Sequence, residues 1–315
     1  MGMELPAYSN GVTLCLEELL VYKQHCAAWL PPARSLWSTM SGQYQSRQLG
    51  RGMDFSEVRR YQPGDDIRTI DWRVTARTGK THTKLFSEER EKPVILYIDL
   101  SATMHMGSRL LLKSVQAGHM AALLAWMSLA QKDRCGALID LGHRLIDIKP
   151  KSHQPSVLAL LQKIIDSHGE QLQFRQTQIS SNNAGETVAS MSDSLTALNR
   201  LSPKGSEVIM ISDYTRYHDD LKPQFNQLRR HNQVRLIHIY DPLEQGDTEF
   251  RGIEFVADQQ QSRWLNFSAK QTRAGIRKAF ESQKDRLELL SRSLGIPYTR
   301  LSSDSPLLKQ LSGSN

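Results

Sequence analysis

A chain of 315 residues has room for one large domain or two ordinary ones, and its 39% apolar and 23% charged content reads as globular rather than disordered. The formal charge of +7 and a pI of about 9.3 permit nucleic acid, acidic partners or anionic membrane surfaces and select none of them. Cys15, Cys26 and Cys135 are an odd count without a C-x-x-C pair, which argues against a disulfide framework and for a reducing compartment.

Val12 to Leu30 reads as an amphipathic helix with Leu16, Leu19, Leu20 and Val21 on one side, ended by Pro31-Pro32. Glu17, Glu18, Lys23 and His25 keep that stretch from spanning a bilayer. Met1 to Asn10 lacks the basic and apolar parts of a signal peptide, so the expected location is the cytoplasm. Ala33 to Gln48 is polar and reads as loop or short helix. From Gly50 to Lys92 charges, turns and aromatics interleave without a long amphipathic period. Pro63-Gly64-Asp65 marks a turn. Such a block needs paired charges to hold it: Arg59, Arg60, Arg68, Arg73 and Arg77 among Asp54, Glu57, Asp65, Asp66 and Asp71. Two phosphate-loop look-alikes fail here. Thr78-Gly79-Lys80-Thr81 has Val74 where the first glycine belongs, and Gly50-x-Gly52 is followed by Phe55 in place of the third glycine. Thr81 to Arg90 reads as a strand.

Val94-Ile95-Leu96-Tyr97-Ile98 is a continuous apolar run that fits a strand buried on both faces. Asp99, Ser101 and Thr103 then fall at its carboxyl end, where open α/β sheets bind ligands. One carboxylate with two hydroxyls is an oxygen donor set suited to Mg²⁺ or Mn²⁺. Beyond it the spacing predicts a helix over Met106–Gln131, with Gly118 allowing close approach to the sheet, and a hairpin of Arg134–Asp140 with Arg144–Ile148. Further helices are expected over Gln154–Ser167 and Glu186–Leu201, with a mobile loop over Gly169–Gly185. Glu207 to Asp213 repeats the pattern of an apolar strand ending in hydroxyl and acid. A helix from about Asp219 to His231, a strand over Val234–Tyr240 and a hairpin of Gly252–Val256 with Trp264–Phe267 follow. A helix over Ser268–Leu294 capped by Ser268, a strand over Ile296–Leu301 and a tail helix over Pro306–Leu311 complete the chain. Alternating strands and helices mean α/β with a largely parallel sheet.

Asp99-Leu100-Ser101-Ala102-Thr103 resembles the metal-ion-dependent adhesion site of von Willebrand factor A domains, Asp-x-Ser-x-Ser, with Thr103 in the last place. The run Arg60-Tyr61-Gln62-Pro63-Gly64-Asp65-Asp66-Ile67-Arg68-Thr69-Ile70-Asp71-Trp72, then Ala76-Arg77, together with the Asp99 motif, closely resembles the family called domain of unknown function 58. The resemblance implies a von Willebrand A-like, doubly wound, mostly parallel sheet with an N-terminal helical and Arg/Asp-rich β-type extension. Residues 1–92 would hold the helix and the block, packed on the main domain, and 93–315 the A-like domain. It further implies Thr187 and Asp213 as additional metal ligands. The partner it implies is a MoxR-type AAA+ ATPase or its client. Arg60, Tyr61, Gly64, Asp65, Asp66, Arg68, Asp71, Trp72 and Arg77 are expected to be structural first and interactive second.

The expected function is a metal-dependent protein–protein interaction module rather than an enzyme. The strand-Asp-x-x-x-Thr pattern also resembles haloacid-dehalogenase phosphatases, with Asp99 as nucleophile. Their general acid, however, falls on Ser101, which does not ionise near neutral pH. A nucleic-acid partner is not expected, because nearby acids offset the arginines of the block. The cluster around Asp99 is expected to be exposed, so that Asp99→Ala spares folding.

Overall fold

The structure, a computed structural model, describes residues 4–27, 53–88, 91–181, 190–246, 252–257 and 262–312. The described residues divide into two compact units. The larger holds the N-terminal helix and everything from Lys92 onward, and the smaller lies between them in sequence. The helix therefore groups away from the Arg/Asp-rich block, unlike the expected division at residue 92. Packing is the reason. In α1 (Leu16–Ala27) Leu19, Tyr22 and Cys26 are buried. Glu18 pairs with His119 at 3.1 Å, and Trp126 Nε1 donates to the Leu19 carbonyl at 3.2 Å. Residues 28–30 of the expected helix and the stretch 33–48 lie outside the described residues.

The smaller unit is built on a hairpin. β1 (Met53–Arg60) pairs antiparallel with β2 (His82–Glu88), with a bulge between Phe55 and Glu57. Between the strands come the turn Gln62–Asp65, a 3-10 turn (Ile67–Thr69) and α2 (Trp72–Thr78), which ends at Gly79 in the left-handed region. Of the expected ion pairs Arg59–Asp65 forms, at 2.7 Å, and Asp71 pairs instead with Lys84 at 3.5 Å; the side chains of Asp54 and Glu57 lie outside the description. The acids go mainly to the backbone. Asp65 accepts from Gln62 N, Asp66 from Arg68 N, and Asp71 caps α2 through Arg73 N and Val74 N. Aspartates at turn and cap positions have backbone donors within two or three residues in sequence, which need no long side chain to be ordered. Arg68, expected among the paired charges that hold the block, is exposed. Arg68→Ala should thus leave the melting temperature unchanged, whereas Asp71→Ala should lower it by uncapping α2. Equal melting of wild type and Asp71→Ala would show that the cap contributes nothing.

The larger unit is an α/β fold around a mixed sheet. Its strands are β3 (Pro93–Asp99), β4 (Arg134–Asp140), β5 (Leu145–Lys151), β6 (Glu207–Ser212), β7 (Gln233–Tyr240) and β10 (Tyr298–Ser302). They lie in the order β10-β7-β6-β3-β4-β5, all neighbours parallel except β4 and β5. Every residue of β3 is buried, as its apolar run predicts. Ile95 and Tyr97 share a core with α5 (Met191–Leu201), α6 (Lys222–His231) and α7 (Lys270–Leu294). Alternation sends Leu96 and Ile98 to the opposite face. The chain runs from β3 outward through β4 and β5, then returns to the other side of β3 as β6. The carboxyl ends of β3 and β6 thus flank a topological switch point, the place where open α/β sheets bind ligands. The hairpin β8 (Ile253–Ala257) with β9 (Ser262–Asn266) and the short α8 (Leu307–Leu311) match expectation.

Several helix boundaries differ from expectation: α1 starts at Leu16 rather than Val12 and α5 at Met191 rather than Glu186, with 186–189 outside the described residues. α3 (Lys113–Ala130) starts seven residues late, because 106–112 is held as a loop by Lys113 N to Met106 O, Leu111 N to Ser303 O and Leu112 N to Gly11 O. Its Gly118 admits the Leu14 side chain rather than the sheet: a Cβ there would lie 2.7 Å from Leu14 Cδ1. α4 (Gln154–Ser181) runs on into the expected loop, whose residues 182–185 lie outside the described residues. Gln171 reaches the Leu141 carbonyl, Arg144 pairs with Glu170, and Phe174 stacks on His143, so tertiary contacts override a polar composition. Ser268 does not cap α7; Ala269 holds that position without a side-chain bond.

Two buried histidines make the larger unit acid-sensitive. Burial pulls the His168 pKa down to about 3 and that of His238 to about 4. Both folded values lie below the unfolded value of about 6.5, so the unfolded state binds more protons as pH drops. Stability should therefore be complete above that pH and fall, by about 1.4 kcal/mol per pH unit for each histidine, towards pH 4. Denaturant unfolding at neutral pH and in mild acid checks the sign; stability that rises on acidification would refute it.

Candidate functional site

Four parallel strands end in an acid: Asp99 on β3, Asp140 on β4, Asp213 just after β6 and Asp241 just after β7. Each accepts the backbone N–H two residues on, from Ser101, Gly142, Thr215 and Leu243. These Asx turns end the strands and bring the carboxylates to one end of the sheet. All four are buried. The residue after Asp213, Tyr214, is buried with φ of 55°, a left-handed conformation that costs a bulky residue about 1–3 kcal/mol.

Two cations are enclosed with these acids. Arg216 Nη2 lies 3.1 Å from Asp99 Oδ2 and 2.8 Å from Asp140 Oδ2, and donates to Tyr97 Oη at 3.0 Å. Asp140 Oδ2 also accepts from Tyr97 Oη and Ser194 Oγ. Lys113 Nζ donates to Asp213 Oδ2 at 2.8 Å and to Glu244 Oε1 at 2.5 Å. Ser212 Oγ joins the two strand ends by donating to Asp99 Oδ2 at 2.6 Å. Asp241, apart from both cations, is held by Ser108 and Ser303.

Above this charged floor lies a row of hydroxyls. Ser101 Oγ is 3.5 Å from Thr103 Oγ1, which is 3.2 Å from Thr215 Oγ1. Ser101 is buried, Thr103 half-buried and Thr215 exposed, so the row leads from the floor to solvent. His105 Nδ1 lies 3.1 Å from the Ser101 carbonyl, and its ring stacks on His168.

The electrostatics are unbalanced. In the two networks four carboxylates, Asp99, Asp140, Asp213 and Glu244, face two cations. Burial works against ionised Asp213, but Lys113 overrides it and holds the carboxyl at about 2. Burial pushes the Asp99 and Glu244 carboxyls up despite Arg216 and Lys113, so these two carry the excess negative charge poorly. A divalent cation would balance the excess, and the hydroxyl row supplies hard oxygen donors for it. On that ground the donor set fits Mg²⁺ or Mn²⁺. Among the described residues no group of three or more His, Cys, Asp or Glu could hold a metal ion.

Of the sequence-derived ligands, Asp99, Ser101, Thr103 and Asp213 converge at the switch point. Thr187 lies outside the described residues. Asp99 is 1% exposed and ion-paired, so Asp99→Ala removes a buried network member and does not spare folding. Sequence reasoning missed Lys113, Asp140, Ser212, Thr215, Arg216 and Glu244. Among the described residues no helix is long and apolar enough to cross a membrane, and Cys15, Cys26 and Cys135 are free thiols.

By its architecture the larger unit is an α/β domain with a buried charged cluster and a row of hydroxyls at its switch point. The chain belongs to the family described as "Protein of unknown function DUF58", whose model matches residues 57–288. It is similar to "Uncharacterized protein Mb1516" of Mycobacterium bovis and "Uncharacterized protein Rv1480" of Mycobacterium tuberculosis, each 35% identical over 112 residues. The matched stretch covers 35% of this chain and 35% of each relative, so the match spans about a third of the curated relatives' length.

Proposed function

We propose that the larger unit is a von Willebrand A-like binding module, in which Asp99, Ser101, Thr103 and Asp213 hold Mg²⁺ or Mn²⁺ at the switch point. When bound, the ion supplies a positive, partly open oxygen-coordinating centre for an acidic side chain of a partner protein. The observation that carries the reading is the hydroxyl row above four carboxylates and two cations at the switch point. A mixed sheet with one antiparallel edge strand supports the A-like architecture. Arg216 and Lys113 position the acids, and Thr103 and Thr215 keep the site open to a partner. A binding module suits Asp99 better than phosphatase chemistry does, because the position of the general acid, two residues on, is held by Ser101, which does not ionise near neutral pH. By family resemblance the partner is a MoxR-type AAA+ ATPase or a client presented to one, with this chain as adaptor.

Mg²⁺ or Mn²⁺ should raise the melting temperature, by a stabilisation of about 2.7 kcal/mol at a hundredfold excess over Kd. Ser101→Ala with Thr103→Val leaves both ion-pair networks intact and should abolish the shift. A thermal response unchanged in that double variant would move the ion elsewhere.

A further inference from the structure

The smaller unit turns two large apolar side chains outward. Ile67 is 68% and Trp72 70% exposed. One sits in the 3-10 turn and the other opens α2, five residues on. Arg68 and Arg73 adjoin them in sequence, and Arg77 lies one helical turn beyond Arg73; all three are exposed. From Val58 to Lys84, seven Lys and Arg stand against three Asp, a net charge of 7 − 3 = +4. The three acids are spent within the unit, on turns, the α2 cap, Arg59 and Lys84. Arg60, Arg68, Arg73, Arg77 and Lys80 form no ion pair among the described residues. Exposed Trp and Arg close in sequence are the composition of an interface centre, where a few such side chains carry most of the binding energy. The positive charge selects an acidic occupant, and Ile67 and Trp72 require it to be apolar in part.

We propose that the Ile67–Arg77 face of the smaller unit is a docking surface for an acidic, amphipathic segment of a partner protein. Apolar side chains of that segment cover Ile67 and Trp72, and its carboxylates pair with Arg68, Arg73 and Arg77. Single-stranded nucleic acid could use the same arginines and stack on Trp72, but its backbone leaves Ile67 without apolar cover. This inference rests on the smaller unit alone and does not depend on the proposed ion site.

The test is fluorescence anisotropy with the full chain and four labelled probes. One is a peptide of repeating Glu, Leu and Phe. The second has Gln for Glu, the third Ser for Leu and Phe, and the fourth is a single-stranded oligonucleotide. The acidic amphipathic peptide should bind roughly tenfold or more tightly than either peptide control and weaken with salt. Trp72→Ala, and Arg68→Glu with Arg73→Glu, should each weaken it by roughly tenfold. Arg200→Glu, an exposed position on the larger unit, should not. Circular dichroism and melting of each variant establish that folding is kept. The proposal is overturned by no peptide binding, by equal binding to the Trp72 and Arg68/Arg73 variants, or by tighter binding of the oligonucleotide. Self-association of the wild type that Trp72→Ala abolishes would also overturn it, in favour of a contact between copies.

Discussion

Lys113→Met should destabilise the larger unit by about 3–5 kcal/mol, the cost of stranding a buried partner charge. Lys113 is fully buried at the first residue of α3, a position where the helix dipole disfavours a cation. It stays there because Asp213 and Glu244 both hold its ammonium group. Methionine keeps much of the aliphatic volume, so the loss is electrostatic rather than a cavity. Lys113→Met with Asp213→Asn removes both charges and should recover part of the loss, giving a coupling energy in a double-mutant cycle. The pH dependence carries a signature. Asp213 titrates at about 2 when folded against about 3.8 when unfolded, so its stabilisation is complete above the higher value and lost as pH falls through the lower. Lys113→Met lacks that contribution, and the gap between the variant and wild type should narrow in acid. Denaturant unfolding at two pH values measures it. A variant within 1 kcal/mol of wild type at neutral pH would mean the charges are screened by water.

The strands were readable because their signal is local. The β3 run, its acid and its hydroxyls lie within eleven consecutive residues, and both hairpins follow from alternation and turns. The four strand-end acids follow one pattern, in Cys135-Gly136-Ala137-Leu138-Ile139-Asp140 as much as in the β3 run. Asp140 was therefore available to a reading that compared all the strand ends. Lys113 and Arg216 were not. One sits in a helical stretch and the other in a loop, and each meets acids distant in sequence, Lys113 with Asp213 and Glu244, Arg216 with Asp99 and Asp140. Nothing in their neighbours distinguishes them from solvated charges. In the smaller unit the reverse holds. Its arginines looked like pairing partners for adjacent acids, but backbone N–H groups within two or three residues hold Asp65, Asp66 and Asp71. Charge composition gives the sum of such a segment; caps and turns decide which charges remain outside.

Arg216→Met should cost about 3–5 kcal/mol as well, and its response to ions should separate a structural role from one tied to the proposed ion site. Arg216 reaches from the loop after β6 to the ends of both β3 and β4, where one nitrogen serves Asp99, Asp140 and Tyr97. Without it two buried carboxylates share the strand ends with no cation. Burial already pushes the Asp99 carboxyl up, and the neighbouring Asp140 charge adds to that push. The variant should therefore recover towards wild type as pH falls and a proton replaces the guanidinium. If the switch point accepts a divalent ion, Mg²⁺ or Mn²⁺ should raise the melting temperature of Arg216→Met more than that of wild type, because the ion then meets carboxylate charge that no arginine offsets. Ser101→Ala with Thr103→Val, added to Arg216→Met, should remove that larger increment while leaving the recovery in acid. An Arg216→Met protein that regains stability in acid but gains no more from the ion than wild type would make Arg216 a structural clamp on β3 and β4 with no part in ion binding.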